Sequence, residues 1–102
     1  MNKYGQHTKF LTQPGQADAL LGLLLEAATA MNTVSGCLLY MVSKDPQQPD
    51  SVLVTEAWDS REDHDNALKI EGAKEMIAKA LPFLQGMPEA TPLEVWGGKG
   101  IG

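Results

Sequence analysis

The sequence predicts an α+β fold in which helices cover one face of an antiparallel sheet. Short runs rich in β-branched and aromatic residues alternate with longer stretches that carry apolar residues every three or four positions. These patterns are typical of strands and amphipathic helices, respectively. Because 102 residues suffice for one small hydrophobic core, we interpret residues 1–102 as a single domain.

The first strand and the first helix are predicted at residues 4–11 and 16–32. Pro14 and Gly15 end the strand, and proline suits the first turn of a helix because the N–H that it lacks would have no partner there. The helix has one broad apolar face that recurs at steps of three and four residues. That face comprises Ala17, Leu20, Leu21, Leu24, Ala27, Ala28 and Met31.

The second and third strands are predicted at residues 37–42 and 51–58, where a polar loop with two prolines joins them into a hairpin. Neither strand shows the polar alternation expected of a sheet with one face in water. If side chains alternate regularly along the strand, one face of the sheet carries Cys37, Leu39 and Met41, and the other carries Leu38, Tyr40 and Val42. In the third strand, one face likewise carries Val52, Val54 and Trp58, and the other carries Leu53 and Ala57.

Both faces of the sheet are therefore predicted to be apolar. The helices can cover only one face, and a soluble monomer rarely exposes an apolar patch as large as the other face would be. We expect a second copy of the chain to cover that face, sheet against sheet, to give a homodimer.

Two more helices follow the third strand. Ser60 and Asp63 have the spacing of a capping box, which predicts a helix that begins there and fades near Gly72. A further helix is predicted at residues 73–84, and Pro82 is expected to kink or end it because proline removes a backbone donor.

A loop at residues 86–92 and a last strand at residues 93–96 complete the pattern. The predicted order is β-α-β-β-α-α-β. This order is that of the ferredoxin-like plan, with an antiparallel sheet and its helices on one face.

The charge of the chain excludes some classes of partner. The net charge is −5, the pI is near 4.8 and the eight basic residues are scattered, so we expect no binding to nucleic acid or to an anionic membrane surface. Cys37 is the one cysteine and cannot form an intrachain disulfide. The chain is expected to be cytoplasmic.

His64 is the main catalytic candidate. It lies one turn into its helix, in line with Ala67 and Leu68 at the third and fourth positions after it, so it is predicted to face inward. It is interpreted either as a general base or hydrogen-bond donor at a cleft between helix and sheet, or as a structural histidine that binds a backbone carbonyl.

Other side chains could line the same cleft, although strand residues and aromatic residues of this kind also serve in the core or at an interface. Glu56 lies within an apolar strand and needs either a partner, most simply a lysine or arginine, or a raised pKa. The candidates for substrate binding are His7, Tyr40, Trp58, Met76 and Phe83.

Two further kinds of site were weighed from the sequence. An iron site of two histidines and one carboxylate can be written from His7, His64 and Glu56, but no local spacing supports it. The glycine-rich residues 97–100 lack the full Walker spacing and a Ser or Thr after the lysine, so a phosphate loop is excluded. No metal is expected.

The chain resembles the antibiotic biosynthesis monooxygenase domain family, including its small quinol-monooxygenase-like members. The resemblance covers nearly the whole chain. It lies in the segments 13–16 (QPGQ), 35–40 (SGCLLY), 54–64 (VTEAWDSREDH) and 92–98 (PLEVWGG).

The resemblance implies a ferredoxin-like protomer that pairs into a dimeric α+β barrel. It also implies oxygenation of quinols or polycyclic phenols without metal, flavin or other cofactor. His64 would be the base, and Trp58 and Tyr40 the walls of the cleft. The haem-degrading branch is disfavoured, because the positions of its haem-ligating histidine and nearby tryptophan fall near Ile77 and Ala67, neither of which is suitable. A non-catalytic dimer that binds a small molecule, and an isomerase on the same fold, remain as alternatives.

Overall fold

The computed structural model describes residues 2–102 and has the predicted order of elements. The elements are β1 (Lys3–Leu11), α1 (Ala17–Ala30), β2 (Cys37–Ser43), β3 (Ser51–Trp58), α2 (Arg61–Ala67), α3 (Glu71–Ala80) and β4 (Glu89–Val95). Short 3-10 turns extend α1 over Met31–Thr33 and α3 over Leu81–Phe83.

The four strands form one antiparallel sheet in the order β2-β3-β1-β4. The strands β1 and β3 are therefore central, and β2 and β4 are the edges. This arrangement confirms the predicted ferredoxin-like plan.

The helices cover the face of the sheet that carries Val52 and Val54. Both valines are almost fully buried and pack with side chains from α1 and α3. The other core residues are Ala17, Leu20, Leu24 and Ala80. The predicted division of β3 is confirmed, because the alternate residues Leu53 and Ala57 lie on the opposite face.

The prediction for β2 was wrong at its first residue. Cys37 pairs with Trp58, whereas Leu39 pairs with Ala57, so two residues of β2 correspond to one residue of β3. This bulge at Leu38 breaks the alternation. Cys37 therefore lies opposite a residue of the helix-covered face and does not share a face with Leu39 and Met41.

The last strand begins at Glu89, four residues before the predicted start. Residues Glu89 to Pro92 pair with β1, where Pro92 lies opposite Gln6. A proline is tolerated there because β4 is an edge strand and needs no N–H on its free side. The loop that was predicted at residues 86–92 therefore ends before Glu89.

The start of α2 matches its predicted cap, since the N–H of Asp63 donates to Ser60 Oγ at 3.1 Å. Gly36 precedes β2 with a positive φ of 89°, and a Cβ there would lie 2.6 Å from Asp63 Cγ. Glycine therefore allows the start of α2 to pack closely on the turn before β2. Pro82 follows the end of α3 at Ala80, as expected, but Gly72 lies inside the first turn of α3 and is not a helix end.

Within residues 2–102, no helix is both long and apolar enough to cross a membrane.

Candidate functional site

A cleft of about 1100 Å³ lies between the helices and the face of the sheet that they cover. Four of the six predicted site residues line it, namely Tyr40, Trp58, His64 and Met76. Glu56, considered from the sequence as an iron ligand or an ion-pair partner, also lines it, as do Gln6 and Thr8, for which no role is predicted. The cleft therefore brings together side chains from β1, β2, β3, α2 and α3.

The structure does not place His7 in the cleft. Side chains alternate along β1, so Gln6 and Thr8 face the cleft while His7 lies on the opposite face of the sheet. There, its Nδ1 lies 3.1 Å from Thr55 Oγ1.

Phe83 is not part of the cleft lining either. It belongs to the 3-10 turn after α3, in which Leu81 lines the cleft and Phe83 does not. Its half-buried side chain is therefore separated from the group that includes His64.

The iron site formulated from the sequence is not assembled, since His7 lies across the sheet from His64 and Glu56. In the part of the chain that the structure describes, no group of three His, Cys, Asp or Glu side chains is arranged to hold a metal ion.

Glu56 is a buried carboxyl group at the polar end of the cleft, where only 9% of the residue is exposed. Its Oε1 accepts a hydrogen bond from Trp58 Nε1 at 3.1 Å and lies 3.9 Å from His64 Nε2. Within residues 2–102, neither a lysine nor an arginine pairs with Glu56. The predicted salt bridge is therefore replaced by the indole N–H and the imidazole.

This environment changes the acidity of Glu56. Burial raises the pKa of the Glu56 carboxyl, and the hydrogen bond from Trp58 and the neighbouring His64 offset only part of that rise. Glu56 thus retains its proton at a higher pH than an exposed glutamate does.

His64 is buried and oriented by three neighbours. Its Nδ1 lies 3.0 Å from Asp65 Oδ1, and its ring packs against the edge of Trp58 at 5.6 Å and against Tyr4 at 5.1 Å between centroids. An ionised Asp65 can only accept a hydrogen bond, so the neutral imidazole carries its proton on Nδ1. The lone pair of Nε2 is then directed towards Glu56 and is available as a proton acceptor.

Tyr40 completes the polar end of the cleft from β2, where it pairs with Glu56 across the strands. Burial raises the pKa of the Tyr40 hydroxyl well above its usual range, and the nearby Glu56 and Cys37 raise it further. The phenol therefore stays protonated at neutral pH and can serve as a hydrogen-bond donor to a ligand.

A model of the antibiotic biosynthesis monooxygenase family matches residues 4–79. The chain belongs to this family. The matched segment includes every polar side chain described above, from Tyr4 to Asp65. The resemblance identified from the sequence is thus confirmed.

Two solved structures of candidate antibiotic biosynthesis monooxygenases are similar to this family member. The one from Chloroflexus aurantiacus J-10-fl is 38% identical, with a TM-score of 0.88, over 98% of this chain and 99% of that one. The one from Deinococcus radiodurans is 28% identical, with a TM-score of 0.82, over 93% and 94% of the two chains.

A protein of unknown function from Nitrosomonas europaea has the same fold. It is 24% identical, with a TM-score of 0.83, over 97% of this chain and 94% of that chain. No curated protein matches the sequence significantly. The fold alone therefore does not define the reaction, and the polar cluster in the cleft is the feature of this chain that bears on its function.

We predict that Glu56→Gln makes stability less dependent on pH. A carboxyl whose pKa is raised by folding stabilises the fold below its unfolded pKa, near 4.5, and this contribution is lost as the pH rises through the folded pKa. Glutamine keeps an oxygen for the Trp58 N–H and cannot ionise. The free energy of unfolding of the variant, relative to wild type, should therefore increase as the pH rises above about 4.5.

Urea denaturation at several pH values measures this difference. Glu62→Gln, at an exposed glutamate of α2, is the control, and its difference from wild type should stay flat. A Glu56→Gln difference that falls as the pH rises would show that folding lowers the pKa of Glu56.

Proposed function

We propose that the protein is a monooxygenase that oxidises a small aromatic quinol with dioxygen. The observation that carries this proposal is a pair of groups able to exchange protons, the Glu56 carboxyl and the His64 imidazole, whose Oε1 and Nε2 atoms lie 3.9 Å apart at the polar end of the cleft. The similarity to the two candidate antibiotic biosynthesis monooxygenases supports the same class of reaction.

The first step is removal of a hydroxyl proton from the quinol by His64 Nε2. Asp65 holds the imidazole in the tautomer that can accept this proton and stabilises the cation that results. A cationic imidazole favours the ionised form of the neighbouring Glu56, and the Glu56 carboxylate in turn stabilises the positive charge on His64. Tyr40 is placed to donate a hydrogen bond to negative charge that develops on the substrate.

The electron-rich phenolate then reduces dioxygen directly. A bond forms between a ring carbon and oxygen to give a hydroperoxide, and its O–O bond breaks as the ring carbon loses its hydrogen. One quinol and one dioxygen give one hydroxyquinone and one water. The substrate supplies all the electrons, so this scheme requires no separate reductant or cofactor, and the cleft contributes orientation and exclusion of water.

Oxygen uptake with a panel of hydroquinones tests the proposal. We expect uptake above the rate of spontaneous autoxidation, and incorporation of one labelled atom into the hydroxyquinone when the gas is ¹⁸O₂. Saturable binding without oxygen uptake would contradict it and favour a small-molecule carrier. Conversion without oxygen uptake, to a product of unchanged mass, would contradict it and favour an isomerase.

The protein is further proposed to be a homodimer that pairs through the face of the sheet opposite the helices. The apolar side chains on that face remain accessible in the protomer, with Leu39, Met41 and Leu93 each between 37% and 47% exposed. Burial of these side chains by an identical copy would remove their apolar surface from water, around the polar pair His7 and Thr55 that shares the face. The location proposed for the protein is the cytoplasm. The chain has a single cysteine, which fits a reducing compartment of this kind.

Leu39→Glu is predicted to dissociate the dimer. Two carboxylates would be buried without partners in a symmetric interface, and this cost greatly exceeds that of one exposed charge. Sedimentation should shift from about twice 11.0 kDa in the wild type to 11.0 kDa in the variant. Leu25→Glu, at an exposed leucine of α1 outside the cleft, is the matched control and should stay dimeric. A wild-type species of 11.0 kDa at micromolar concentration would overturn the dimer.

A further inference from the structure

The helix-covered face of the sheet changes from polar to apolar along the strands, and Gln6, Thr8, Phe10, Tyr40, Val54 and Glu56 of this face line the cleft. Gln6, Glu56 and Tyr40 form one row across β1, β3 and β2. The residues two positions further along each strand are Thr8, Val54 and Val42, and the following pair is Phe10 and Val52. Because two residues of a strand span about 7 Å, hydrogen-bonding capacity on the sheet is concentrated at one end of the cleft.

The mouth of the cleft adds a second apolar surface. Five large apolar side chains from the segment between α2 and the loop after α3 both line the cleft and remain 41–90% exposed. They are Leu68, Ile70, Ile77, Leu81 and Met87. Exposed apolar side chains that adjoin a cleft in this way are typical of a ligand-binding surface.

The charged side chains in the same lining do not interrupt this surface. Glu26, Glu75 and Lys79 are exposed, so their long stems can lie along apolar groups while their charged ends reach water.

The cleft is also much larger than a single aromatic ring needs. A cavity of about 150 Å³ holds benzene, whereas the cleft has a volume of about 1100 Å³. A ring bound by Glu56 and His64 would leave most of the apolar lining in contact with water.

We propose that the ligand is amphiphilic, a phenolic ring that carries a hydrocarbon tail. The ring lies against Glu56, His64 and Tyr40. The tail runs along the groove between α1 and α3 to the exposed side chains at the mouth, among them Ile77 and Leu81. This inference rests on the proposed function for the identity of the ring.

Binding of 4-alkylphenols of increasing length tests the tail separately from the reaction. Dioxygen is removed from the buffer so that the proposed scheme cannot convert these monophenols. They are used below their micelle concentrations, with calorimetry as the readout. Each buried methylene should lower Kd by about two- to fourfold, until the tail passes the mouth. A Kd independent of tail length would overturn the inference.

Two variants locate the tail. Leu81→Gln should flatten the dependence of Kd on tail length and leave the Kd of 4-methylphenol unchanged. Leu25→Gln, at a leucine that is exposed to a similar degree on α1 but does not line the cleft, should retain the wild-type dependence. A wild-type dependence in Leu81→Gln would place the tail elsewhere, for example on the open face of the sheet, and would overturn the inference.

Alkylhydroquinones separate the failure of this inference from the failure of the proposed function. Tail-dependent binding without oxygen uptake would contradict the monooxygenase and support the amphiphilic ligand. Oxygen uptake with a KM that does not respond to tail length would support the monooxygenase and contradict the amphiphilic ligand.

Discussion

The variant His64→Ala is expected to lower kcat for quinol oxygenation by about 100- to 10,000-fold, the range typical of a positioned general base. The imidazole is the group whose unshared pair is directed into the cleft, and its orientation depends on Asp65 and on the rings of Tyr4 and Trp58. Alanine leaves Glu56 in place, but it removes the base and the neighbour that favours ionisation of Glu56. Initial rates of oxygen uptake at saturating quinol measure the loss.

His7→Ala provides the comparison, since it removes the other imidazole of the chain from the opposite face of the sheet. Its turnover should remain close to that of wild type. Asp65→Asn should lower kcat less than His64→Ala does and shift the pH profile, because an amide does not fix the imidazole tautomer as a carboxylate does. Undiminished turnover in His64→Ala with an intact fold would exclude His64 as the base.

The sequence was sufficient to predict the order of the elements because the period of the apolar residues changes clearly between strands and helices. It was also sufficient for the inward position of His64, which follows from the helix start at Ser60 and the apolar residues one turn later. Assignment of a residue to one face of a strand was less secure. A single bulge at Leu38 reverses the alternation, and a bulge leaves no clear pattern in an unbroken apolar run.

The partner of Glu56 could not be predicted for a related reason. The sequence contains eight lysines and arginines that could have paired with it, and only the folded chain shows that the group beside it is His64. Glu56 lies on the same strand face as Trp58, two residues away. This spacing indicates that the Trp58 side chain can reach Glu56, and it was a usable signal that was missed. His7 shows the converse, because a histidine on a central strand of the same sheet can lie on the face opposite the site.

Trp58→Ala is expected to cost about 3–5 kcal/mol in the free energy of unfolding, the range for removal of a large aromatic side chain from a core. Trp58 is 1% exposed, its indole packs against His64, and its Nε1 donates to Glu56. The substitution thus opens a cavity and removes the one hydrogen bond that Glu56 accepts within the described residues. Because a domain of this size has only about 5–15 kcal/mol of total stability, the variant should be partly unfolded at modest urea concentrations.

The second tryptophan makes the experiment internally controlled. Trp96 is 81% exposed, so Trp96→Ala should change stability by no more than about 0.5 kcal/mol. In that variant Trp58 is the one remaining tryptophan. Trp58→Phe separates packing from hydrogen bonding, because it keeps a ring but leaves Glu56 without its donor. Urea unfolding followed by circular dichroism at a fixed protein concentration measures all three variants. Equal losses for Trp58→Ala and Trp96→Ala would contradict the assignment of Trp58 as the aromatic side chain that joins the core to the site.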